Sequence, residues 1–562
     1  MTLRSMFATF GLGILVMSGC AKKLTDAEMR FATLRDGYVK DYRPLQIESD
    51  RAWWVANTTG DPAAFKRQER SENALVELHS DHDIFAKLKA LREGGGVDDP
   101  VMHRELDVMY RAFLPGQADP ALQKRIVALQ TEVEQIFNTH RSEVDGKKLT
   151  ENDVRDILAT TTDSTKAEKA WKAYMAVGTK VGAKLRQAVR LRNELARKLG
   201  YRDFYAMKLD VQEIDEKELL KLFDDLDDLT REPFAKLKAR IDKDRAKRFG
   251  ISVADLRPWH YGDLFFQEAP PMGGADLDAV YRKQDLLSLA RRYYKGLGMD
   301  VDDILGRSDI YEKPGKSSHA FSTDIDRKGD VRVLLNLKPS LRWMDTLLHE
   351  LGHAVYDTYI DRHVPFILHT ASHSITTEGY AMMMGSMAKR QEFLTKVVKL
   401  SPGEAAQYVQ SAKRSLRAEK LIFSRWAQVM VRFEHGMYTN PDQDLGKLWW
   451  DLKKRYQLLN PPQDVSRPDY AAKIHIVTVP VYYHSYMMGD LFASQVRQHI
   501  VTEILGEKDD GSSCFYDSKA AGKYMKKEIF GPGNLYSWNE LTRRATGERL
   551  TPKYFVQQYV EQ

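Results

Sequence analysis

Only two cysteines occur in 562 residues, Cys20 and Cys514, which excludes a disulfide framework. Glycine and proline are sparse at 35 and 20, so the chain is neither collagen-like nor linker-rich. Charge of one sign is lacking too: 85 basic against 79 acidic residues leave +6. Spread over this length the balance is nearly neutral, no Lys/Arg block stands out, and nothing argues for nucleic acid as a partner. Beyond residue 20 no stretch reaches the roughly eighteen uninterrupted apolar residues of a membrane span. Solenoid repeats and low-complexity linkers are absent, so no internal domain boundary is marked. What is present is enough apolar surface, 43% of residues and 10% aromatic, for a large core in one large or a few smaller domains.

The first twenty residues read as an address. Arg4, an apolar run from Met6 to Met17 and then Ser18, Gly19 and Cys20 have the charge, length and small residues of a secretory signal. The end of the segment resembles the lipobox of bacterial lipoproteins, with Met17 where Leu is usual. That resemblance implies a signal peptide over 1–19, acylation of Cys20 and an exported, membrane-anchored lipoprotein on the periplasmic or cell-surface side. The alternative is an ordinary cleaved signal with an incidental Cys20. Residues 20–562 are then one helical domain, and Cys514 an unremarkable free thiol.

Most of that domain reads as helix. Residues 166–199 carry Trp171, Met175, Val181, Leu185, Val189 and Leu195 at helical steps, with Gly200 to end them. Residues 216–229, 120–140 and 403–435 repeat the pattern, and such stripes are core faces with no chemistry implied. One stretch differs. Phe321 and Ser322 lead through Asp326 and Gly329 into Val331, Val333 and Leu335, which predicts a β-hairpin. Pro339 and Ser340 then open another helix.

That helix holds His349-Glu350-Leu351-Gly352-His353, the pattern H-E-x-x-H. Histidines four apart project from one helical face and can bind one zinc ion. Glu350 beside them can act as general base on a zinc-bound water. Tyr356 and Tyr359 stand where the metzincin pattern needs Gly and His, which excludes that class. The third ligand predicted is Glu378, with 24 residues between it and His353, at the head of an apolar helix. Asp357, Asp361, His369 and His373 are its rivals.

Several further blocks resemble the angiotensin-converting enzyme (peptidyl-dipeptidase A) family of zinc peptidases. They are Glu312-Lys313-Pro314 with His319, Ala320 and Ser322; Trp449 and Trp450 through Tyr456, Gln457, Pro461 and Pro462; Lys473, His475, Val479 and Pro480; and Gly262 to Gln267. The Trp171 helix and Gly200-Tyr201 also have counterparts, so the resemblance spans most of residues 30–500. It implies a mainly α, two-lobed helical fold enclosing a deep zinc-containing cleft, with the hairpin beside the active site. It implies removal of dipeptides from the free C-terminus of oligopeptides. His349, His353 and Glu378 would bind one zinc ion and Glu350 would serve as base. His319, Ala320 and His475 would bind substrate around the cleaved bond, and Gln267 and Lys473 its terminal carboxylate. For the oxyanion and carboxylate-pocket tyrosines, Tyr482 comes first and Tyr486 second, with one of Tyr482, Tyr483 and Tyr486 only packing the core.

Three departures from the family stand out. The gap to Glu378 is one residue longer. Met382 replaces an Asp that orients a histidine. The chloride-binding arginines are missing, with Lys453 in place of one and Tyr483 or His484 near the other, so chloride activation should be weak or absent. The competing readings are a related helical zinc oligopeptidase or carboxypeptidase, and a peptide-binding lipoprotein that has lost catalysis.

Overall fold

A computed structural model describes residues 23–270, 276–317 and 319–560. Cys20 and the signal segment lie outside them. Helices start where the sequence offers an acceptor to the free N–H groups of a first turn. Thr25 caps α1 (Asp26–Thr59) in a capping box with Glu28. Asp119 caps α2 (Pro120–Thr139), Asp163 caps α3 (Ser164–Lys198) and Asp215 caps α4 (Glu216–Phe249). Ser340 caps α5 (Leu341–Thr358), the His373 ring caps α6 (Ser374–Ser386) and Ser401 caps α7 (Pro402–Thr439). Asp444 caps α8 (Leu445–Gln457), and α9 (His484–His499) and α10 (Lys553–Tyr559) come after it. Among the described residues no helix is long and apolar enough to cross a membrane.

The stripes read from the sequence match α2, α3 and α7 within a few residues. The helix expected over 216–229 runs twenty residues further, through Pro233 to Phe249. Phe234, Leu237 and Ile241 continue its apolar face and pack a small second core with Phe266, Leu421 and Leu459. The dense charges of that half hide the face. The main core extends from Phe31 in α1 to Phe555 in α10, and Trp54, Ile325 and Leu334 form a third, small cluster.

Two antiparallel hairpins interrupt the helices. β1 (Ser142–Val144) and β2 (Lys147–Leu149) join through Asp145 and Gly146, both at positive φ, the backbone a two-residue hairpin turn requires. That Asp-Gly pair is a hairpin signal that a purely helical reading passes over. β3 (Phe321–Asp324) pairs with β4 (Val331–Leu334), Phe321 opposite Leu334. This is the expected hairpin, and it packs on α5.

Three helices meet closely where the motif lies. A Cβ on Gly352 of α5 would sit 3.0 Å from the Ala381 Cα of α6. A Cβ on Gly379 of α6 would sit 2.6 Å from the Gly489 carbonyl and 2.8 Å from the Phe492 ring, both on α9. Backbone-to-backbone contact of this kind is available only without side chains. Gly379→Val should therefore cost about 1–3 kcal/mol by overpacking and disturb the adjacent Glu378. Thermal unfolding and zinc content of the purified variant check this, and wild-type values in both would contradict it.

Candidate active site

His349 and His353 leave α5 on one face, their Nε2 atoms 3.2 Å apart. Glu378, in the second turn of α6, brings its Oε2 to 3.6 Å from His349 Nε2 and 3.8 Å from His353 Nε2. Among the described residues these three form the one group of His, Cys, Asp and Glu side chains close enough to share a metal ion. A point equidistant from the corners of that triangle lies about 2.1 Å from each, the length of a zinc bond to nitrogen or carboxylate oxygen. The donor set, two imidazoles and a carboxylate, fits a catalytic zinc.

The rival ligands are engaged elsewhere. The His373 ring accepts the Ile375 N–H as helix cap. Asp361 accepts from the His363 N–H. Asp357 lies beside Asp324, and burial lifts its carboxyl to about 8. His369 is buried near Arg327.

A hydrogen bond that the motif alone does not reveal orients one ligand. The Thr377 hydroxyl lies 2.7 Å from His353 Nδ1, fixing the ring so that Nε2 faces the triangle. Met382, four residues past Glu378, supplies no such bond and lines the cleft instead. Glu350 is buried, and burial with the Glu378 charge beside it raises its carboxyl to about 8. A cation held by the ligands would draw it back down.

A cleft of about 880 Å³ has Gln267, Arg342, Met382, Phe423, Tyr486 and Asp490 in its walls. Gln267, on its wall, is met by Lys473, 206 residues away: Lys473 Nζ donates to Gln267 Oε1 at 2.8 Å. Burial lowers the Lys473 ammonium to about 8. The loop bearing Gln267 is held at several points. Asp263 accepts the N–H groups of Phe265 and Gln267. Lys453 and Gln457, one turn apart on α8, donate to the Phe265 and Phe266 carbonyls. Lys453 thus has a local partner, and burial takes it to about 7.

His475 is half-buried, with Nδ1 enclosed and unbonded; burial and Lys473 hold the ring neutral, near 4. His319 is exposed on the lead into β3, its N–H on the Ser317 hydroxyl, and Ala320 packs against the core.

The three tyrosines separate. Tyr482 and Tyr486 stack edge to face at 5.4 Å, and the Glu378 charge acts on both. Tyr483 turns the other way. Its hydroxyl accepts from Trp426 Nε1 at 2.8 Å, and its ring stands 5.6 Å from Lys473 Nζ. The aromatic beside the Gln267–Lys473 pair is therefore Tyr483, where counting along the chain gives Tyr482. The cause is Val481, held at φ 56°. Glu434 accepts its N–H and Gln212 donates to its carbonyl. A β-branched residue in the left-handed region is costly unless held so, and the extra bend shifts the register of the tyrosines after it.

The sequence model of a peptidase family described as angiotensin-converting enzyme matches residues 26–250 and 276–561. The chain belongs to the angiotensin-converting enzyme family. Gln267 falls between the two matched stretches. The chain is 24% identical over 469 residues to the angiotensin-converting enzyme-like protein Ace3 of Mus musculus, covering 76% of this chain and 62% of that protein. It is 21% identical over 551 residues to the angiotensin-converting enzyme of Sus scrofa, covering 89% of this chain and 40% of that enzyme. A thermostable carboxypeptidase 1 of Pyrococcus furiosus is 22% identical over 261 residues, 43% of this chain and 51% of that protein. The chain thus spans less than two thirds of these relatives.

Removing the Thr377 hydroxyl isolates its contribution. Thr377→Val should weaken zinc binding about 10- to 100-fold, as loss of a ligand's orienting partner does. Competition with a chromogenic chelator measures it, and unchanged affinity would contradict the assignment.

Proposed function

We propose that this chain is a zinc-dependent peptidyl-dipeptidase acting on oligopeptides with a free C-terminus. The observations that carry the reading are the Gln267–Lys473 pair, at a cleft that Met382 and Tyr486 also line, and the His349, His353 and Glu378 triangle. A buried ammonium with an amide beside it is suited to a carboxylate. An anchor at a fixed position relative to a metal selects one peptide bond by its distance from the chain end.

When bound, zinc supplies a Lewis acid for the scissile carbonyl and for the attacking water. Glu350 takes the water's proton and delivers it to the leaving amine. Tyr486 and Tyr482, facing Glu378, are the donors available to the developing oxyanion. His475, with His319, bonds the substrate backbone. Tyr483 backs the carboxylate anchor. Lys453, committed to the Phe265 carbonyl, supports weak or absent chloride activation. Acylation of Cys20 would hold the enzyme on the outer side of a membrane, and the mass of the mature N-terminus tests that.

Digestion of a blocked tripeptide and a longer peptide, with and without chelator, tests the reading. Chelator-sensitive release of C-terminal dipeptides is expected. Single residues would favour a carboxypeptidase, which the likeness to the Pyrococcus furiosus protein makes the second reading, and internal fragments an oligopeptidase. Glu350→Gln should keep its zinc and lose about 10²- to 10⁴-fold in kcat, and near-normal turnover would remove Glu350 from its role. Lys473 is charged below about 8 and neutral above it, so kcat/KM for free-carboxylate peptides should fall as pH rises past 8. A profile that stays flat there would contradict the anchor.

A further inference from the structure

A second cluster of unsatisfied polar groups lies away from the metal ligands. Arg390 comes after α6, the helix of Glu378, and Arg497 lies on α9, the helix of Tyr486. They are 8% and 1% exposed. Both hang on the turn from Asp509 to Gly511. Arg497 Nη1 donates to Asp509 Oδ2, Asp509 Oδ1 accepts the Gly511 N–H at 2.9 Å, and the Gly511 carbonyl accepts from Arg390 Nη1 at 2.8 Å. This chain of bonds sets the two guanidiniums on either side of one short turn.

On each arginine, Nε and Nη2 are buried without a hydrogen-bond partner among the described residues. Those two nitrogens form one edge of the guanidinium, the fork that grips a carboxylate or phosphate through two parallel bonds. Two such forks stand free here. The Ser513 hydroxyl, two residues past Gly511, and the Ser494 hydroxyl, one turn before Arg497, are likewise buried and unbonded. Asp509 pairs with Arg497, and leaving buried guanidinium donors without partners is unfavourable.

We propose that Arg390 and Arg497 form a buried oxyanion site that takes one small carboxylate or phosphate monoanion and ties α9 to the segment after α6. The site is distinct from Lys453 and from Tyr483 and His484, where the family resemblance would set chloride, and it does not depend on the proposed activity.

Calorimetric titration of the full chain with inorganic phosphate and with acetate, at constant ionic strength in chloride, tests it. One saturable site for either anion is expected, with a rise in unfolding temperature that chloride does not give. Phosphate alone or acetate alone identifies which oxyanion the forks accept. Arg390→Lys and Arg497→Lys keep the charge and remove the fork, so each should weaken binding at least tenfold. Failure of both anions to bind, or undiminished binding in both variants, overturns the proposal. If the variants do not fold, crystals of the unaltered protein soaked in selenate decide: an anomalous peak between the guanidiniums is expected, and its absence overturns the site.

Discussion

Gly379 meets Gly489 where α6 crosses α9, and Gly352 meets Ala381 where α5 crosses α6. At these crossings the helix backbones come within van der Waals range. Each crossing lies next to a functional side chain: Gly352 beside His353, Gly379 beside Glu378, and Gly489 three residues past Tyr486. Helix–helix spacing normally reflects the side chains between the axes. Here their absence fixes it, and the helices become a rigid frame for the His349, His353 and Glu378 triangle. The hydrogen bond between His353 and Thr377 exists because that frame sets the register of α6 against α5.

The other half of the cleft is held by polar groups. The Gln267 loop carries backbone carbonyls that no helix or sheet satisfies, and buried carbonyls need partners. Lys453 and Gln457 supply them from α8, and Asp263 takes the loop's N–H groups. Three tryptophan rings surround the Lys453 ammonium, which gives a buried cation some of the stabilisation that water would otherwise supply. The Gln267 end of the cleft is thus built on charges whose partners are mostly backbone, and Lys473 donates there to the Gln267 side chain.

Local signals in the sequence reach much of this. The H-E-x-x-H spacing, the apolar stripe after Glu378 and the hairpin before the motif are all contained within short windows. Other features are set by contacts between distant segments. Nothing near Lys453 points to the Phe265 carbonyl, 188 residues away. The order of the tyrosines cannot be counted from Lys473, because Val481 adopts a left-handed backbone that Glu434 and Gln212 impose from other helices. The continuation of α4 past Pro233 is hidden by charged residues that face solvent while Phe234, Leu237 and Ile241 face inward. The first hairpin is within reach of its Asp-Gly turn and is lost only when the chain is read as helix throughout.

The proposed centre of the site is one metal that two side chains of α5 and one of α6 would hold. Anomalous diffraction at the zinc edge from crystals of the zinc-loaded protein tests this most directly. A single strong peak about 2.1 Å from His349 Nε2, His353 Nε2 and a Glu378 carboxylate oxygen is expected. A peak that leaves Glu378 out of the coordination sphere, or no peak between the three residues, would contradict it.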